Sequence, residues 1–111
     1  MSPEAFVALG AGLAMVKTKF VMGGVRLAVH GKTFATVGWP QADRAVVKLS
    51  PDDQTKLAAL CAAVTPEPGR RGRKGVTLID LRPLNDEVAT RLLVAAWQTA
   101  AAAPTGLSKT A

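Results

Sequence analysis

The sequence predicts an α+β domain of two layers, an antiparallel sheet with its helices gathered on one face. Three observations carry that reading. Apolar residues recur at helical spacing near the N-terminus, switch to a period of two from Val25, and return to helical spacing after Ser50 and again after Asn85. The strand-like segments are joined by short turns, which makes a meander, and the helix starts carry cap chemistry. Helices and strands grouped in this way form α+β domains.

Taken in order, Ser2-Pro3-Glu4 offers a hydroxyl cap, a proline at the first helical position and an acid at the positive end of the dipole. The first helix is expected from Pro3 to about Val16, with Phe6, Leu9, Leu13 and Val16 on one stripe. Gly10 and Gly12 weaken it, and they build no dinucleotide fingerprint, because no strand precedes them and Met15 occupies the third glycine position. Val25, Leu27 and Val29 then alternate with Arg26, Ala28 and His30, and His30-Gly31-Lys32 turns the chain into a strand over Thr33 to Trp39. Pro40 to Asp43 interrupts, and Arg44 to Leu49 makes a third strand.

Ser50-Pro51-Asp52-Asp53 repeats the helix start, and Leu57, Leu60, Cys61 and Val64 give a second amphipathic helix reaching about Val64. Thr65 to Gly75 reads as a Pro- and Gly-rich connection, followed by a strand over Val76 to Leu81. Asn85-Asp86-Glu87 caps a third helix whose stripe includes Val88, Leu92, Ala95, Ala96 and Thr99. Pro104 and Gly106 end it, so residues 1–103 read as one domain and 104–111 as a flexible tail.

At 111 residues the chain has room for one core. A single Cys excludes an internal disulfide and fits a cytoplasmic setting, and with a single His it excludes a metal site built from those ligands. The apolar run Ala5 to Val16 is shorter than the ~20 residues of a membrane span, so no membrane is expected as a partner. Cys61 lies on the second helix's stripe and reads as a buried structural thiol.

The inventory for catalysis is poor. Glu4, Asp52, Asp53, Asp86 and Glu87 sit where helix starts want acids, and neither a nucleophile with its base nor a phosphate loop is present, so the chain reads as non-enzymatic with no cofactor. The basic residues are better organised. Fourteen Lys and Arg against eight Asp and Glu give a formal charge of +6, and the pI is near 10.1, a balance suited to anionic partners. Strand alternation turns Arg26, Arg44 and Lys48 to the sheet face away from the helices, as it does His30, which reads as a turn residue. Lys32 and Lys19 extend that patch, and Arg70, Arg71, Arg73 and Lys74 of PGRRGRKGVT flank it. Most of the aromatic residues occupy positions better suited to a core than to a stacking platform, so phosphate contact with duplex DNA, mostly independent of base sequence, is the expected binding mode.

HGKTFATVGW, the strand and helix entry RAVVKLSP, PGRRGRKGVTLIDL and the Ala96-Trp97 helix ending resemble the MmcQ/YjbR family of small bacterial proteins over nearly the whole chain. The resemblance implies a secretion-chaperone-like order α-β-β-β-α-β-β-α and the DNA-binding role by which that family is described. In that comparison Gly31, Lys32, Phe34, Ala35, Lys48, Gly75 and Thr77 occupy the motif positions, whereas Arg71 and Val76 stand where family members often carry tryptophan. Two alternatives stand beside DNA: a protein-interaction module with an acidic partner, and a site for a small anionic ligand.

Overall fold

The computed structural model describes residues 1–102. The expected tail over 104–111 lies outside the described residues. The elements run α1 (Pro3–Ala11), β1 (Val16–Val21), β2 (Gly24–Val29), β3 (Lys32–Val37), β4 (Arg44–Lys48), α2 (Pro51–Leu60), β5 (Val64–Pro66), α3 (Arg70–Arg73), β6 (Val76–Asp80) and α4 (Asp86–Ala102). The sheet order is β1-β2-β3-β4-β6-β5, and every neighbouring pair is antiparallel. The α+β class is therefore as expected, and to the order α-β-β-β-α-β-β-α the structure adds the strand β1 and the turn α3.

The first helix stops at Ala11 instead of continuing to Val16. Its last turn is closed by Gly12, whose N–H donates to the Ala8 carbonyl, and a Cβ at Gly10 would run into Leu27 Cδ1. Val16–Val21 then pairs with β2 as an edge strand, so the period-two pattern begins before Val25. Met22 and Gly23, both at positive φ, make the tight connection between β1 and β2. The second helix stops at Leu60, which frees Val64–Pro66 to become β5 at the opposite edge. Within the expected loop, Arg70–Arg73 forms one helical turn.

Cap chemistry behaves as read from the sequence. Ser2 Oγ accepts from Ala5 N at 3.1 Å, Ser50 Oγ from Asp53 N at 3.1 Å, and Asn85 Oδ1 from Val88 N at 2.9 Å. The core lies between the sheet and α1, α2 and α4, with Phe6, Leu27, Val29, Ala35, Val37, Ala45, Val47, Ile79, Leu92 and Leu93 buried. Burying each large apolar side chain contributes about 1.5–3 kcal/mol. A bulge in β3 leaves Phe34 without a register partner, between Leu27↔Ala35 and Ala28↔Thr33. Phe34 and Ala35 are consequently both buried although adjacent.

Cys61 was expected as a buried structural thiol and is half-buried at the C-cap of α2, packed against the core. Among the described residues no helix is long and apolar enough to cross a membrane.

Candidate functional site: the open face of the sheet

The register assigns each strand residue to a face. One row across the sheet runs Lys19–Arg26–Thr36–Val46–Leu78–Thr65, on the side opposite the buried Leu27, Ala35 and Val47. Two residues along the strands, about 7 Å away, Lys17, Ala28, Lys48 and Val76 form a second row on this face. On the other side of the central row lie Val21, Gly24, Arg44 and Asp80. Lys17, Lys19, Arg26, Arg44 and Lys48 thus share the face opposite the one on which α1, α2 and α4 pack.

That face is concave. A depression of about 480 Å³ has Arg26, Thr36, Val46 and Leu78 among its lining residues, with Met22, Trp39 and Pro40 at one side and Glu67, Pro68 and Arg71 at the other. Trp39 is 58% exposed, which corrects the expectation that the aromatic residues are mostly core. Phe6 and Phe34 are core, but Trp39 and Phe20 are not. Trp97 is half-buried, and its indole N–H donates to the Ala14 carbonyl at 2.9 Å. The expected strand ran on to Trp39, whereas β3 ends at Val37 and no longer holds the indole against the core; Pro40 beside it was the sequence signal.

The anticipated basic residues separate into groups. Arg26 lines the depression, and Lys48 is exposed at the end of β4. Arg44 is on the same face but is half-buried, with its Nε 3.8 Å from Asp43 Oδ1, and it pairs in register with Asp80. It is not a free cation. Lys32 stands opposite Val29 beyond the bulge, on the helix side, and lines a separate depression of about 300 Å³ with Phe34, Lys48, Thr99 and Ala100. The bulge therefore turns Lys32 to the helix side of the sheet, where it shares this smaller depression with Lys48 and does not line the larger one.

Of the PGRRGRKGVT cations, Arg71 reaches the large depression and its Nε lies 3.3 Å from Glu67 Oε2. Arg70, Arg73 and Lys74 are exposed on and just after α3 and do not line it. His30 sits in the β2–β3 turn at φ 52°, as its reading as a turn residue required.

Acids at the Arg44 end are held by Arg82. Its Nε and Nη2 donate to Asp80 Oδ1 and Oδ2, each at 3.1 Å, and its Nε lies 3.3 Å from Asp43 Oδ2. The side-chain hydrogen bonds from Arg82, aided by its backbone N–H and by the charges of Arg82 and Arg44, hold the Asp80 carboxyl below the usual carboxylate range against an opposing effect of burial. Among the described residues no group of three His, Cys, Asp or Glu side chains could hold a metal ion.

No protein-family model and no curated protein matches the chain. A solved structure of a protein from Pseudomonas syringae, a target of the Northeast Structural Genomics Consortium, is similar to it with a TM-score of 0.60 at 13% sequence identity. The likeness covers 90% of this chain and 99% of that one. At that identity it shows the fold.

Proposed function

We propose that the domain is a non-enzymatic DNA-binding protein of the MmcQ/YjbR type that contacts phosphates through the open face of its sheet. The observation that carries the reading is the sharing of that face by Lys17, Lys19, Arg26 and Lys48, while Arg44 is paired with Asp43 and the acids Asp80 and Glu67 are paired with Arg82 and Arg71. A sheet face lined with cations attracts a polyanion and releases its counterions. The net charge of +6 and the resemblance of the HGKTFATVGW and PGRRGRKGVTLIDL stretches to that family support the same conclusion. The single cysteine supports a cytoplasmic setting.

The test is fluorescence anisotropy with a labelled DNA at low salt, comparing wild type with Lys19→Glu/Arg26→Glu. The double variant should bind at least tenfold more weakly, since both residues are exposed and their loss removes two positive charges and adds two negative ones. Absence of wild-type binding, or equal binding by the variant, overturns the reading.

A second reading, a protein-interaction module, is favoured by Phe20 and Met22, 83% and fully exposed on the edge strand β1 and its turn. It requires a stoichiometric partner retained at high salt after nuclease treatment and lost on Phe20→Ser/Met22→Ser. A DNA contact has the opposite salt response.

A further inference from the structure

We propose that the depression on the open face takes one unpaired base of single-stranded DNA, stacked on the Trp39 indole, with the adjoining phosphates on Arg26 and Lys19. The inference rests on the DNA reading above and specifies the form of DNA that is bound.

The first ground is chemical. A protein that only neutralises phosphates has no use for an exposed indole beside its cations. Trp39, 58% exposed, lines the same depression as Arg26. An aromatic face within a basic groove is the arrangement on which successive bases of a single strand stack, because every unpaired base has a free π-face. A duplex buries those faces in its own stack and offers the indole nothing without unpairing.

The second ground is shape. At about 480 Å³ the depression falls in the ordinary range for sites that take a small planar ligand. Its floor is suited to a flat heterocycle: Thr36, Val46 and Leu78 come from three adjacent strands in one register row. Pro40 and Pro68 also line it, and proline presents no backbone N–H that a bound base would leave unsatisfied.

The third ground is charge. Lys19 is the direct cross-strand partner of Arg26, so the two backbones lie about 5 Å apart and present cations at one side of the depression. Across the floor, Glu67 brings the acid to the lining, and Arg71 lies within 3.3 Å of it. That side therefore carries little net negative charge, and a phosphodiester strand crossing the face meets a positive side and a near-neutral one.

The experiment follows the emission of Trp39 in a Trp97→Phe background, in which no other tryptophan remains. The probes are an oligothymidylate, a duplex of equal length and an oligouridylate, each at low salt. Should Trp97→Phe fail to fold through loss of its bond to Ala14, the difference between wild type and Trp39→Phe isolates the same signal.

The oligothymidylate should quench Trp39 saturably and bind at least tenfold more tightly than the duplex. Trp39→Ala should weaken oligothymidylate binding roughly 5- to 150-fold, the range for loss of one stacked base, and change duplex binding less than twofold. Trp39→Phe should restore most of the affinity. Equal affinity for single strand and duplex, or unchanged Trp39 emission on binding, overturns the single-strand inference while leaving DNA binding in place. No binding of either DNA overturns both. Tenfold tighter binding of the oligouridylate overturns the assignment to DNA.

Discussion

At Asp80 and Arg82 a charge arrangement can be read out by titration. The Arg82 guanidinium meets the Asp80 carboxylate in two parallel hydrogen bonds at 3.1 Å, a geometry stronger than a single-point ion pair. The Asp80 pKa is lowered in the folded state. A group shifted that way binds protons more readily when unfolded, so it stabilises the fold above the unfolded carboxylate pKa of about 3.9 and loses that contribution as pH falls through the lower folded value. Arg82→Gln should therefore lower the thermal midpoint at pH 7 and converge with wild type in strong acid, where Asp80 is protonated in both states. Thermal unfolding at a series of pH values checks this; a gap that persists undiminished in acid assigns the Arg82 effect to packing. Binding should also fall at neutral pH, because Asp43 and Asp80 would be left facing Arg44 and the phosphates without their guanidinium.

At the scale of the element, the α3 turn was the least legible part of the sequence. Three cations lie in it and Lys74 follows, yet the glycines in and just after it determine its shape. Gly72 packs against the Glu67 backbone and Gly75, at φ 111°, against the Leu49 backbone, leaving no room for a Cβ at either position. Gln54 then holds the turn from α2: its Nε2 donates to Gly72 O at 2.9 Å, Thr77 Oγ1 at 3.0 Å and Val76 O at 3.2 Å. A glutamine on a helix announces no such role, because its partners lie 18 or more residues away. Gln54→Leu should cost about 2–3 kcal/mol, since it strands buried acceptors, and it should speed amide exchange in α3 and β6 selectively. Gly72→Ala should cost about 2–3 kcal/mol through overpacking against backbone that cannot yield. Denaturant titration measures both; a loss below 0.5 kcal/mol for Gly72→Ala would show that the turn re-forms around a side chain. Strand alternation and caps were legible because they are local, which is why β2, β3, β4 and the helix starts fell where the periodicity put them. The ends of α1 and α2 were not. The apolar stripe continues past Ala11 and Leu60, and the residues beyond it, Val16 and Val64, are claimed by pairing with strands distant in sequence.

For the whole molecule, the sheet decides which cations act together. Alternation gathered Arg26, Arg44 and Lys48, and Lys19 was expected beside them, but Lys17 and the strand β1 that fixes both lysines on this face depended on a pairing invisible to local pattern. The α3 cations lie close in sequence and yet outside that set, apart from Arg71, which is committed to Glu67. Counting Lys17, Lys19, Arg26 and Lys48 as free to meet phosphates, and leaving out Arg44 for its contact with Asp43, about four counterions should be released. The slope of log affinity against log salt should then be about −3 for a single strand and about −3.6 for a duplex. Lys19→Ala/Arg26→Ala should flatten the single-strand slope to about −1.5, whereas Arg70→Ala/Arg73→Ala should leave it within about 0.5 of wild type. The contrast between the two double variants is the decisive comparison, because each removes the same formal charge. If net charge alone governed association, both would weaken binding equally and shift the slope together. Only a footprint confined to the sheet face separates them.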